Sequence, residues 1–537
     1  MKSKFTFHLT IVALFLFLQM ASYAGGYYGN FYVKSTATGT GDGSSWTDAM
    51  TDLQQAIDLA ADGDTICVAA GTYFPTHLLG SDTLRNRTFY IQIPVAIYGG
   101  FSGDPGTEGS LTDRNPKIHI TTLSGDVGLV NDASDNAFHV VYFDHVSDST
   151  RLDGFVIADG NSLTGGGLDG TGTGIFNDAV GGKSHPVIAN CIIQHNAASE
   201  SGGGMLNYAA NGGHGNPLLI NCTFRQNEAS GGGGLSNYTD TDGEASPTFI
   251  RCSFMGNTAR TADGGAINSI THSSTSAPKW INCIITGNNS PNSSAFQAFV
   301  TGTGIASPEF INCTFSGNTG GAIRVVDLGA HTSTAKIRNS IIHGNAGGSG
   351  ISTNGANVDA TFSIIPFGFE GEGVIGLDPL FVNQPPLDGA HLLGDVHLQD
   401  ASPAIDAGRN EDVPAGTTTD LDGKPRFMNP SNGQAGIVDM GAYELQGNTT
   451  ATADFLADTD WEVYPNPTID KVVITFKQPA TAGELRLLDS RGVVISSQHL
   501  HTGQHTQTID ASSLPSGIYY IHIVLDGLQD VKKISRL

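Results

Sequence analysis

The stretch that decides the fold is Ser307-Pro308-Glu309-Phe310-Ile311-Asn312-Cys313-Thr314-Phe315-Ser316-Gly317-Asn318-Thr319-Gly320-Gly321-Ala322-Ile323. Its proline, cysteine and asparagine recur. Cysteines stand at Cys191, Cys222, Cys252, Cys283 and Cys313, with gaps of 31, 30, 31 and 30 residues. Five residues before each is a proline (Pro186, Pro217, Pro247, Pro278, Pro308). Five residues after each is an asparagine (Asn196, Asn227, Asn257, Asn288, Asn318). A sixth copy has Ser340 in the cysteine slot and Asn345 in the asparagine slot. A fixed period of about 20–50 residues is the mark of a stacked solenoid.

Within each repeat, polar and apolar residues alternate. Ile311, Cys313 and Phe315 alternate with Asn312 and Thr314, and Ile220, Cys222, Phe224 and Ile250, Cys252, Phe254 repeat this. Period-2 alternation predicts a strand with one buried face. A second short strand is predicted after each glycine cluster, as in Gly203-Gly204-Met205-Leu206, Gly264-Gly265-Ala266-Ile267 and Gly320-Gly321-Ala322-Ile323. The 70 glycines supply corners that need positive φ. Short strands, sharp corners and no helical period give a parallel β-helix. Stacked turns set like residues about 4.8 Å apart. The cysteines then form an interior column of small hydrophobes. Their Cβ atoms would sit as far apart as the strands, beyond the ~3.5–4.5 Å of a disulfide. Cys67 is expected in the core. The corner asparagines form a hydrogen-bonded ladder, each amide donating to one turn and accepting from the other. A second column is expected at Asn177, Asn207, Asn237 and Asn268.

The pairs Phe224…Asn227, Phe254…Asn257 and Phe315…Asn318, with Gly264–Ile267 and Gly320–Ile323, resemble the Phe-x-x-Asn and Gly-Gly-Ala-Ile marks of the polymorphic outer-membrane-protein repeat. The resemblance covers roughly residues 170–345. It implies a right-handed, pectin-lyase-like β-helix on an exported surface protein.

Residues 1–24 read as a secretory signal: Lys2 and Lys4, an apolar run Phe5–Leu18, and Ser22-Tyr23-Ala24 as the cleavage site. The parallel β-helix is expected over 25–445. A capping helix is predicted at about 48–62, with Leu53, Ile57 and Ala60 on one stripe. Irregular early turns follow, and the regular array runs from about 170 to 360. The series Leu377-Asp378-Pro379-Leu380-Phe381, Ser402-Pro403-Ala404-Ile405-Asp406-Ala407-Gly408, Asp420-Leu421-Asp422-Gly423 and Val438-Asp439-Met440-Gly441-Ala442-Tyr443-Glu444 resembles the closing segment of exported choice-of-anchor Q proteins. We expect it to form the last turns and a C-terminal cap over about 375–445. A linker is expected at 446–460. Beyond it, short strand patterns at 472–476, 484–489, 493–498, 506–509 and 518–525 predict a small β-sandwich of immunoglobulin-like size over 461–537. Tyr464-Pro465-Asn466-Pro467, Leu488-Asp489…Gly492, Leu514-Pro515-Ser516-Gly517-Ile518-Tyr519 and Val531-Lys532-Lys533-Ile534 in this module resemble the C-terminal sorting domain of the type IX (Por) secretion system. That resemblance implies a secreted product, or one attached to the outer-membrane surface of a Gram-negative bacterium, with the secretion machinery as partner.

The chain has 26 Lys and Arg against 51 Asp and Glu, a net charge of −25. Residues 461–537 hold seven of each sign, so the acidic excess lies on the solenoid. Such a body disfavours nucleic acid and anionic membranes as partners, and weakens the case for a polyanionic substrate such as pectate unless calcium bridges the charges. No later run approaches ~18 apolar residues, so no transmembrane helix is expected in the mature chain.

The shape hosts polysaccharide enzymes, but no Asp-Asp pair of the galacturonan-hydrolase kind occurs, and Gly213-His214-Gly215 stands without its acidic partners. Catalytic residues are not assigned. Asp240, Asp242 and Glu244 place oxygen ligands at alternating positions, as in a fragment of a calcium loop, without the full twelve-residue pattern; calcium is the only cofactor suggested. Tyr208 and Tyr238 should lie on adjacent turns and offer ring faces to sugars. Arg324, read as part of the Asn207–Asn237–Asn268 column with Asp327 nearby, joins them as a glycan contact. Two readings follow: a glycan-binding, adhesive or structural surface protein, or a polysaccharide lyase or glycoside hydrolase.

Overall fold

The computed structural model describes residues 31–80, 83–107, 111–261, 263–291, 294–348, 350–428, 436–446, 461–480, 483–489, 494–525 and 528–537. The signal segment with its Ala24 site, nearly all of the 446–460 linker and the Ser490-Arg491-Gly492 turn lie outside these residues. The chain divides into two compact units, one reaching to Gln446 and one formed mainly by 447–537.

The first unit is a parallel β-solenoid of about nine turns. Each regular turn contributes one strand to each of three sheets. Leu218–Ile220, Thr223–Arg225 and Leu235–Thr239 are one such turn, belonging to the first (eleven-stranded), second (nine-stranded) and third (ten-stranded) sheets. The predicted five-residue strand around each cysteine is two strands. Glu309–Ile311 ends the first-sheet segment and Thr314–Ser316 begins the second. Between them Asn312 turns the chain at φ 51°, as do Asn190, Asn221, Arg251, Asn282 and Asn339 at φ 48–54°. Asparagine tolerates this left-handed conformation at low cost, which explains its recurrence before the cysteine. The alternation that reads as one strand is an inward residue on either side of a corner.

Cys191, Cys222, Cys252, Cys283 and Cys313 line the interior of that corner, whereas Cys67 lies within the strand Thr65–Ala69 and packs with Tyr32 and Trp46 in a separate cluster. All six are free and buried. Cys313 Sγ lies 3.4 Å from the Ile311 carbonyl and 3.5 Å from that of Trp280, one turn back. Burial pushes the thiols of Cys191, Cys222, Cys252 and Cys283 well above their ordinary pKa. The column continues in oxygen: Cys313 N donates to Ser340 Oγ (3.0 Å) and Ser340 N to Ser363 Oγ (3.0 Å). Beside it Phe249, Trp280 and Phe310 stack at 5.2 and 4.8 Å.

The corner asparagines are joined throughout. Nδ2 of Asn196, Asn227, Asn257, Asn288 and Asn318 donates to Oδ1 of the next turn's asparagine at 3.0, 3.1, 3.0, 3.0 and 2.7 Å, ending on Asn345. Each Nδ2 also donates to a carbonyl of the preceding turn, Phe224 O at 2.9 Å for Asn257. In the second column, Asn177 donates to Asn207 and Asn207 to Asn237, both at 2.7 Å. Asn268 does not belong to it. Asn237 pairs in register with Ser269, because the next turn is longer, and Asn268 instead faces outward opposite Ser236.

The capping helix is shorter than predicted. It spans Leu53–Leu59, starts where Asp52 accepts from Gln54 N at 2.8 Å, and buries Leu53, Ala56 and Ile57 in the main core. Residues 48–52 are excluded from the helix because Met50 bridges Val33 as an added strand contact.

Among the described residues of 377–445 no further turn stacks on the solenoid; the ladder ends with Ile375, which bridges Ile364. The segment instead returns along the outside of the second sheet, where Phe381, Val396, Leu398, Ala404, Met440 and Ala442 pack on Ile284, Ile341 and Ile364. Its backbone crosses a file of corner glycines. A Cβ on Gly287 would lie 2.4 Å from His391 O, and one on Gly317 2.5 Å from Pro385 Cβ. Where no strap crosses, the equivalent corners are His195 and Gln226. Here glycine is needed for close approach as well as for φ.

A buried charge cluster closes this segment. Arg426 is fully buried and donates to the carbonyls of Asp439 (2.7 Å) and Gly441 (2.6 Å). Around it, Asp420, Asp439 and Glu444 each accept two backbone N–H groups, Glu444 from Met428 and Asp439 at 3.0 Å. The Arg426–Glu444 separation of 3.7 Å is long for a charge-assisted bond. One cation cannot neutralise three buried carboxylates. Burial therefore dominates, pushing Asp439 up to about 6 and Glu444 up to about 8.

The second unit is a seven-stranded sandwich. One sheet is formed by Trp461–Tyr464, Lys471–Ala480 and Gln504–Asp510, the other by Val494–Leu500, Gly483–Leu488, Gly517–Leu525 and Leu528–Arg536. Trp461, Ile474, Leu485, Ile521 and Ile534 fill its core.

Two outcomes follow from this packing. Asn257→Ala should destabilise the solenoid by about 3 kcal/mol, because Asn227 loses its acceptor inside the protein. Asp242→Asn, at an exposed position, should shift urea unfolding by less than about 0.5 kcal/mol. The second concerns pH. Glu444 in the folded chain holds a proton that the unfolded chain releases near its ordinary value of 4.5. Its contribution is complete below that value and is lost as pH rises through about 8. The melting temperature should fall across this interval at constant ionic strength, and Glu444→Gln should flatten the fall.

Candidate functional site

On the third sheet, alternation sends every second residue outward. The outward file Asp144–Asp178–Tyr208–Tyr238–Ile270–Phe299 is in register over six turns. A neighbouring file begins Tyr90–Tyr142–Phe176–Leu206. The two together build an aromatic strip. His77 stacks on Tyr90 at 4.5 Å, Tyr90 lies 5.9 Å from Tyr142, and Tyr142 stacks on Phe176 at 4.9 Å and 3°. Further along, Tyr208 and Tyr238 meet at 5.4 Å and Tyr238 meets His272 at 5.6 Å, both edge to face. The tyrosines are half-buried, each leaving part of its ring to solvent.

Carboxylates anchor the start of the strip. Tyr90 donates to Asp144, and Tyr142 to Asp178 at 2.7 Å. His145 bonds Asp144 through Nδ1 and the Val180 carbonyl through Nε2 (2.9 Å). Asp178 also accepts from Val180 N at 2.9 Å. Burial, then Asp144, raises the Tyr90 phenol to about 12, and burial with Asp178 takes Tyr142 higher still. Burial works against charge on His145, but Asp144 and the Val180 carbonyl outweigh it and its pKa rises. These phenols are neutral donors that orient the rings. The paired carboxylates are held by fixed neighbours, an arrangement for positioning more than for proton transfer.

The structure brings together Tyr208 and Tyr238 but not Arg324. Register places Arg324 opposite Gln297 and Asn268, in the file that begins with Tyr90, and not in the Asn207–Asn237 column. It pairs with Asp263 at 2.9 Å, while Asp327 accepts from Gly329 N and Ser333 N. The calcium candidates do not converge either. Asp240 accepts from Thr241 N at 2.7 Å, and Glu244 reaches back one turn to His214 (3.0 Å) and Asn216 (3.2 Å). Thr241 and Asp242 both have positive φ, so Asp242 is turned out to solvent. Among the described residues, no group of three or more His, Cys, Asp or Glu is placed to hold a metal. His77, Tyr90, Tyr142 and Phe176 were not legible as site residues, since they stand on early turns of unequal length. Only the aromatic content of Phe89-Tyr90 and Val141-Tyr142-Phe143 hinted at them.

Residues 462–535 match the protein-family model described as the secretion system C-terminal sorting domain. Within it, Asn466 of the Tyr-Pro-Asn-Pro motif ties the entry turn to the last strand, donating to Lys533 O at 2.8 Å and accepting from Ser535 N at 2.9 Å. This domain marks the chain for the type IX secretion system, and so for secretion or attachment at the cell surface. No curated protein matches the chain. Among solved structures, the crystal structure of pectate lyase Pel9A aligns at 15% identity with a TM-score of 0.35, covering 77% of this chain and 96% of that one. Among the described residues, no helix is long and apolar enough to cross a membrane.

Deleting residues 461–537 should leave the protein in the periplasm while the full chain reaches the surface or medium. Immunoblotting of periplasmic and external fractions reads the outcome, and external appearance of the truncated chain would contradict it.

Proposed function

We propose that the mature protein is an exported cell-surface or extracellular protein that binds glycan along the aromatic strip of the third sheet. The observation that carries this reading is the Tyr208–Tyr238 pair, set on adjacent turns in the outward file beside the one that holds Tyr90 and Tyr142. Sugar rings present apolar C–H faces that pack on aromatic rings, and a polymer engages several rings spaced along one axis. The phenols, kept neutral by burial and by Asp144 or Asp178, add hydrogen-bond capacity without charge. Export by the type IX route puts this face where extracellular polysaccharide is met.

Affinity electrophoresis through gels containing neutral polysaccharides (xyloglucan, galactomannan, mixed-linkage glucan) tests the proposal. Retardation by at least one is expected, and Tyr208→Ala/Tyr238→Ala should weaken it roughly tenfold, about 1.4 kcal/mol. Native mobility in every gel would overturn it.

A further inference from the structure

At the N-terminal end of the strip, Tyr142 and Phe176 also form one wall of a cavity of about 140 Å³. Its other walls include Arg87, Phe138, His139 and Asp169. A cavity of ~150 Å³ holds a ring the size of benzene, so a sugar ring seated here keeps its outer substituents at the mouth. The chemistry of the lining is specific. Arg85 is fully engaged, donating to Asn136 O (3.0 Å), Thr164 Oγ1 (2.6 Å) and Asn161 O (2.6 Å) while lying over the Phe138 ring at 4.1 Å. Arg87 is different. Among the described residues its guanidinium has no hydrogen-bond or ion-pair partner, and its Nε is buried from water. A guanidinium in that position lacks the planar, bidentate acceptor it is built to hold. His139 is nine-tenths buried, bonds the Gly172 carbonyl through Nδ1 at 3.2 Å, and packs edge-on against Phe176 at 5.0 Å. Burial holds it neutral.

From this juxtaposition we infer that the cavity is an end-binding subsite for one anionic sugar ring, a carboxylate- or sulfate-bearing residue at the end of a glycan chain. The inference rests on the glycan-binding reading and names the terminal residue. The anionic substituent lies on Arg87, the ring faces Tyr142 and Phe176, and Asp169 accepts from ring hydroxyls. Arg85 already interacts with Asp135 and Asp169, so the charge left for an anionic substituent is that of Arg87. The acidic body of the solenoid opposes a long polyanion. A single charge held in the cavity is largely shielded from distant surface carboxylates beyond the ~8 Å screening length at physiological salt. The acidic excess and the Arg87 subsite are therefore compatible when the anion is confined to the chain end.

Titration of the purified full-length protein, followed by ligand-observed NMR, tests this with D-glucuronate, D-galacturonate, D-glucose 6-sulfate and D-glucose. At least one anionic sugar should bind ten-fold or more tightly than D-glucose. Arg87→Gln should abolish that preference, and Arg87→Lys should keep part of it. The carboxylate and sulfate arms decide between the two substituents. Equal or absent binding of all four sugars to the wild-type protein would overturn the proposal, as would a preference that survives Arg87→Gln with an unchanged melting temperature. If neutral polysaccharides still retard the protein while the anionic sugars fail, only the subsite is lost; failure of both removes the glycan reading as well.

Discussion

The asparagine ladder at the corner after the second sheet is the interaction on which the solenoid depends. A stacked turn leaves backbone N–H and C=O groups at its corners with no strand partner, and these cannot be buried unpaired. Each ladder asparagine satisfies one backbone carbonyl, one backbone N–H and its neighbour's amide, so the corner can close over the core. Fixing the corner fixes everything beside it. The cysteine column, the Phe249–Trp280–Phe310 stack and the three sheet registers all follow from turns held directly above one another. Cysteine suits its slot because a thiol is small, apolar and a weak donor to the carbonyls on either side. Serine takes over at Ser340 and Ser363, which accept the backbone N–H of the preceding turn's column residue at 3.0 Å, as Cys283 Sγ does from Cys252 N at 3.4 Å.

The return segment solves a different problem. The outer face of the second sheet carries Ile284 and Ile341, which would otherwise be exposed, and Phe381, Val396, Leu398, Ala404, Met440 and Ala442 cover them. Close approach requires glycine at the crossed corners. Closure relies on Arg426 among three carboxylates, an arrangement whose stability is set by how many of those carboxyls stay protonated. The segment thus converts an open apolar sheet into a covered one at the cost of buried charge.

The aromatic strip is a consequence of the same stacking. Once Tyr208 and Tyr238 occupy equivalent positions on successive turns, their rings meet at a spacing set by the backbone. The same geometry aligns Asp144 with Asp178 beneath the tyrosines of the next file. A periodic scaffold therefore makes a periodic surface, and the irregular early turns end it in a cavity where Arg87 has no partner among the described residues.

The thirty-residue beat alone determined the solenoid, the interior cysteine and asparagine columns and the pairing of Tyr208 with Tyr238, because regular stacking translates sequence spacing directly into contact. The sorting-domain motifs were likewise readable, since Tyr464–Pro467 and the final strand are local signatures. Tertiary structure decided what spacing could not convey. Two turns of unequal length moved Asn268 and Arg324 out of the Asn207–Asn237 column. The single-residue corner at Asn312 divided an apparent strand in two, since period-2 alternation does not distinguish a straight strand from a tight bend between inward residues. The path of residues 377–445 depended on which sheet face was left uncovered, and the Arg87 cavity on loops from three separate turns. Such features arise from contacts between segments far apart in the chain, for which one sequence carries no ruler.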